Sequence, residues 1–131
     1  MPEEAPATGQ GFGRVLVAVY GIFALAATAR SVVQLATRLD EAPVAYLLSA
    51  FAAVIYIVAT VALARGDRTS RRVATVAISI ELVGVLLVGT ASLLLPDAFP
   101  AASVWSGFGS GYGFVPLVLP FVGLWWLHRT R

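Results

Sequence analysis

Apolar positions run in long blocks along this chain, with almost no alternation of apolar and polar residues. Residues 15–36, 44–64 and 73–95 form blocks of 22, 21 and 23 residues, and a fourth, 112–127, has 16. A helix rises about 1.5 Å per residue and needs about 20 residues to cross a hydrocarbon core of about 30 Å. The first three blocks meet that length. The fourth must gain length upstream, which moves its expected start to about residue 111, or sit where the bilayer thins. Helices are the expected form, because an open strand would leave backbone groups unpaired in lipid. The pattern predicts an all-α, polytopic membrane protein with four transmembrane helices at about 15–36, 44–64, 73–95 and 111–127. They form one domain over residues 14–131. A polar tail, 1–13, with Glu3 and Glu4, is expected to be disordered.

Composition sharpens this picture. The chain is 59% hydrophobic and 12% charged, against about 25% charged in soluble domains. A soluble fold of 131 residues could not hide that excess. Cysteine is absent, which excludes disulfides, thiolate metal sites and cysteine nucleophiles. All nine basic residues are arginine, so a P-loop lysine and a Schiff-base lysine are excluded too. With abundant Ala, Val and Gly, this points to a high-GC bacterial genome and a plasma-membrane location. A net charge of +2 gives no case for nucleic-acid binding.

Arginine placement predicts the orientation. Arg65, Arg68, Arg71 and Arg72 lie between the second and third blocks, Arg14 precedes the first, and Arg129 and Arg131 follow the fourth. All seven fall on one side of an up-down-up-down bundle. Arg30 and Arg38 fall on the other, near Asp40, Glu41 and Asp97. Positive residues stay inside, so both termini are expected in the cytoplasm. Short links between the first three blocks make sequential helices antiparallel neighbours. Ala27-Thr28-Ala29 has the small residues of a leader-peptide cleavage site. Glu3 and Glu4 stand where a basic start belongs, however, and the apolar block is too long for such a leader.

Glu81 is the sharpest chemical feature. It lies about 12 Å into the third helix, where an acid costs about 2.5–3.5 kcal/mol on insertion scales and faces the bundle interior. Ala74, Ala77, Gly84, Val88 and Ala91 share its face at spacings of three and four, a stripe of mainly small residues that lets helices approach. Tyr20 and Tyr56 fall at nearly the same depth and are candidate donors to the carboxyl group. Glu81 is then either a proton-coupling or cation-binding carboxylate, or a protonated, hydrogen-bonded glutamate that fixes packing. Arg30, about 24 Å from the inner boundary, is close enough to the outer surface to snorkel. Asp40 and Glu41 are its expected partners, since Glu81 differs in depth by about 12 Å.

The stretch 107–113 has glycine at every second position. Gly111-Tyr112-Gly113 matches a fragment of the potassium-channel filter, but the Thr-Val part is missing and a pore needs four such loops. The expected role is an interfacial loop anchored by Trp105, Phe108 and Tyr112. Pro116 and Pro120 are expected to kink the fourth helix. Arg65, Arg68, Arg71 and Arg72 are candidate contacts for anionic lipid headgroups, besides their part in orientation. His128 is the lone histidine, so no metal site, cofactor site or hydrolytic triad is expected, and the chain does not read as an enzyme.

Across most of its length the chain resembles small integral membrane proteins common in actinobacteria. Gly13-Arg14-Val15-Leu16 through Arg30, and Trp105-Ser106-Gly107-Phe108-Gly109 through Pro120, carry the likeness, which implies no activity. Small multidrug resistance transporters also have four helices and an essential glutamate, but theirs is in the first helix and Glu81 is in the third. Two functions are expected from these features. One is a non-catalytic subunit or accessory factor of a membrane assembly, with the bilayer and another membrane protein or a second copy as partners. The other is a small proton-coupled transporter using Glu81.

Overall fold

The structure is a computed structural model that describes residues 7–37, 40, 43–95 and 105–130. Among the described residues every regular element is helical: α1 (Ala7–Thr37), α2 (Pro43–Arg65), α3 (Arg68–Leu94), a 3-10 segment (Ser106–Tyr112) and α4 (Val115–Thr130). α1, α2 and α3 each contain a stretch long and apolar enough to cross a membrane, as expected of a multi-pass membrane protein. The 3-10 segment and α4 meet that test only as a pair, and they are bent by 98° to one another.

α1 starts at Ala7, ahead of the expected residue 15. Of the stretch expected as a tail, residues 7–13 belong to the helix, and residues 1–6 lie outside the described residues. A tertiary contact explains the added turns. Phe12 meets Trp125 edge-on at 5.8 Å between centroids, and Gly13 lies so close to Trp126 that an added Cβ would sit 2.6 Å from its ring. Packing against α4 outweighs the weak helix preference of glycine.

α2 opens on Pro43, in the one turn where a missing N–H leaves no bond unmade. It stops at Gly66, whose φ of +69° is the left-handed conformation a terminal glycine adopts. The Gly66 amide donates back to the Ala62 carbonyl at 3.2 Å. α3 then begins at once. Asp67 caps it, accepting from the Ser70 amide at 3.3 Å and the Ser70 hydroxyl at 2.7 Å. The expected eight-residue link is therefore two residues, Gly66 and Asp67, and Arg68, Arg71 and Arg72 are helical.

α1 and α2 form the most extensive helix pair. Phe23 meets Tyr56 and Gly21 meets Thr60, so the two run antiparallel. α3 packs on α2, and α4 runs antiparallel to α3, with Gly123 beside Ile78 and Leu127 beside Arg71. α4 touches α1 only sparsely. These contacts bring the start of α1, the α2–α3 turn and the end of α4 to one end of the bundle. Arg14, Arg65, Arg68, Arg71, Arg72 and Arg129 thus gather there. Outward, Ile22, Leu25, Leu47, Val61, Leu87 and Val118 are all more than half exposed, a surface that suits lipid and not water.

The expected fourth helix is the element most changed. The span predicted at 111–127 is divided. Three consecutive residues, Gly107, Phe108 and Gly109, have φ of 58°, 60° and 80°, so the segment turns with the opposite hand to a helix. Phe108 has a Cβ there, a strain of about 1–2 kcal/mol. α4 itself starts at Val115 and runs to Thr130, about 24 Å at 1.5 Å per residue. Pro116 sits in its first turn and Pro120 within it, both fully buried.

Candidate functional site

Glu81 is completely buried. The face that carries it reads Ala74, Ala77, Ile78, Glu81, Val85, Val88 along the buried side of α3, a helical stripe turned toward the rest of the bundle. The Tyr20 hydroxyl on α1 donates to Oε1 of Glu81 at 2.7 Å. Among the described residues, Oε2 has no hydrogen-bond partner. Room for the phenol comes from α4, where a Cβ at Gly123 would stand 3.3 Å from the Tyr20 oxygen.

Tyr56 on α2 completes the chamber without bonding the carboxyl group. Its ring lies 6.2 Å from that of Tyr20, and its oxygen accepts from the Trp105 indole N–H at 3.1 Å. The structure brings together the three residues that depth counting places at one level, and of the two candidate donors only Tyr20 bonds Glu81. Trp105 is the residue the sequence reading missed. Expected at the interface, it is 1% exposed and lies against α3, where a Cβ at Gly84 would be 2.5 Å from its ring. Phe108 fills a second notch at Gly89, where any Cβ would overlap the phenyl ring. The Ser92 hydroxyl, which donates to the Gly89 carbonyl at 2.9 Å, accepts from the Gly107 amide at 2.8 Å and fastens the segment down. The small residues of α3 thus admit two aromatic rings from the same chain. A signal was there to be read: two glycines on the glutamate's helix, and two large rings in a glycine-rich stretch after it.

Arg30 stays apart from Glu81. It is exposed, donates to the Tyr112 hydroxyl, and holds its guanidinium 5.9 Å from that ring's centroid. Tyr112 replaces the expected Asp40 as its partner, because the 3-10 segment folds back over the end of α1 with Phe23 and Tyr112 rings 5.8 Å apart. Glu41 lies outside the described residues.

The four arginines expected to meet headgroups divide into different roles. Arg71 donates to the Leu127 carbonyl at 2.9 Å and the Thr130 hydroxyl at 2.7 Å, and lies 5.5 Å over Trp126. It caps the end of α4, where a cation also meets the negative end of the helix dipole. Arg65, Arg68 and Arg72 are exposed and, among the described residues, have no hydrogen-bond or ion-pair partner. Asp67 is the acid nearest to them along the chain, and its hydrogen bonds with Ser70, with help from Arg65, hold its carboxyl below the usual carboxylate range. No three His, Asp or Glu side chains gather into a metal-binding group among the described residues. No protein-family model, curated protein or solved structure matches this chain.

Proposed function

We propose that this is a four-span protein of a bacterial plasma membrane, of the kind common in actinobacteria, with both termini in the cytoplasm. In this reading it serves as a non-catalytic subunit or accessory factor of a membrane assembly. The observation that carries the functional part is the closure of Glu81. Glu81 is fully buried and bonded by Tyr20, and the buried rings of Tyr56 and Trp105 continue the same cluster. A glutamate so enclosed acts as a polar pin between α1 and α3, since interhelical hydrogen bonds of this kind are worth about 0.6–2 kcal/mol in membranes. The gathering of arginines at one end of the bundle supports the orientation.

Native mass spectrometry of the protein, extracted gently from its own membrane, tests the assignment. A stoichiometric foreign partner is expected; a bare homo-oligomer would count against it. Orientation is tested separately by an impermeant thiol reagent applied from outside, which should label Ser103→Cys and spare Thr69→Cys.

One observation favours a second reading. Among the described residues, Oε2 of Glu81 is buried without a partner, an open acceptor for a proton or a transported cation. A small proton-coupled transporter would lose flux in Glu81→Gln while remaining folded. An accessory protein would keep its partner in that variant.

A further inference from the structure

Three features carry chemistry beyond helix packing: the Oε2 of Glu81 considered above, a set of buried hydroxyls between α1 and α2, and an open cavity at the arginine-rich end. The third goes furthest. It measures about 990 Å³ and lies between the first turns of α3 and the last turns of α4. Arg68, Arg72 and His128 stand at its rim, and Val76 and Leu124 form its wall further along the two helices. The order of these residues follows from helical spacing: 68, 72 and 76 recur every four along α3, as do 124 and 128 along α4.

Folding alone does not account for Arg68 and Arg72. Both sit in the opening turns of α3, where the helix dipole is positive and a cation is disfavoured by about 0.3–1 kcal/mol. Neither has a partner among the described residues, while Arg71 between them is fully engaged with α4. Two free guanidiniums on one cavity rim favour an anion with several acceptor oxygens. The wall beyond them is apolar and continues into the lipid-facing surface, where Val76 is 59% exposed. An occupant that is anionic at one end and aliphatic at the other matches both halves.

We infer that this cavity is a binding site for one anionic phospholipid. Its phosphate is held by Arg68 and Arg72, and the start of an acyl chain lies on Val76 and Leu124. Such a lipid bridges α3 and α4 and compensates the repulsion between the arginines. The site differs from a diffuse basic surface, because Arg65 lies at the same end of the bundle but does not line the cavity.

The full chain in nanodiscs of equal parts phosphatidylglycerol and phosphatidylcholine, released for native mass spectrometry, tests the inference. The wild type should retain one phosphatidylglycerol at least fivefold more often than phosphatidylcholine. Arg68→Gln/Arg72→Gln should abolish that preference with its helical circular dichroism unchanged, and Arg65→Gln should keep it. Equal retention of the two lipids by the wild type would overturn the site. So would an equal loss in Arg65→Gln, which would mean diffuse attraction. Displacement of the lipid by millimolar inorganic phosphate would overturn it as well, because the cavity would then be selecting a soluble anion. If the double variant fails to fold, Val76→Glu serves in its place, since a like charge on the wall should expel the lipid while leaving both arginines intact.

Discussion

The α1–α2 pair and the α3 face solve the same packing problem by opposite means. Between α1 and α2 many buried positions are small, Ala24 and Ala27 on one helix and Ala52, Ala53 and Ala59 on the other, with larger residues such as Tyr20 and Tyr56 among them. The two helices meet over many turns, so the contact is spread along both. On α3 two glycines leave notches, and Trp105 and Phe108 fill them from a segment that is not a regular helix. The first arrangement distributes the contact. The second concentrates it in two rings, so a single change there should have a far larger effect. Lipid tails are as apolar as leucine, so shape matching rather than expulsion from water holds each side together.

Trp105→Ala is the most severe test. Loss of a buried tryptophan should cost about 3–5 kcal/mol, release the 3-10 segment and open the chamber around Glu81, all measurable by unfolding in mixed SDS micelles. Wild-type resistance in that variant would show that the contact is shared after all. Gly89→Ala comes next, at about 1–3 kcal/mol for overpacking against Phe108. Tyr20→Phe removes the tyrosine's hydrogen bond to Glu81 and should cost about 1 kcal/mol; a larger loss would mean that the pin matters more than either mode of packing. On the distributed side the same glycine-to-alanine change should reverse sign. A Cβ at Gly21 would stand 3.7 Å from Thr60, an ordinary contact, so Gly21→Ala should stabilise by about 0.5–1 kcal/mol through helix preference. Destabilisation there would erase the contrast.

The smallest effect concerns the turn that joins the two regions. Asp67 has its pKa lowered chiefly by the Ser70 hydroxyl and amide, and less by Arg65. Its capping contribution is therefore complete above the ordinary aspartate pKa of about 3.9 and is lost as pH falls through the lowered folded value. Amide exchange at Ser70 and Arg71 should quicken over that acid window. Asp67→Asn, an equally good cap without a titration, should remove the pH dependence. Unchanged behaviour in that variant would assign the fraying to another group.

Much of this was legible beforehand, and the failures have physical causes. Apolar blocks reveal helices wherever lipid is the solvent, so α1, α2 and α3 were found. Their ends were not, because Arg68, Arg71 and Arg72 read as a polar loop when they are the opening turns of α3. Gly66-Asp67 was the overlooked signal, a terminating glycine followed directly by a capping aspartate. Tyr20 and Glu81 met as depth counting requires, since rise per residue is a fixed length. Trp105 was misplaced because an aromatic in a glycine-rich stretch carries no periodicity. Its destination is set by notches at Gly84 and Gly89, and these become visible only once the chain has turned back on itself.

The chamber around Glu81 also has an order in time. Tyr20 precedes the glutamate in the chain and Trp105 follows it. At about 5–20 residues added per second, the acid leaves the ribosome one to a few seconds ahead of the indole. During that interval Glu81 has its hydrogen-bond donor but not its cover, and water or a proton can still reach it. Arrival of Trp105 covers the chamber, so the order of emergence sets when the side chain is most open to solvent.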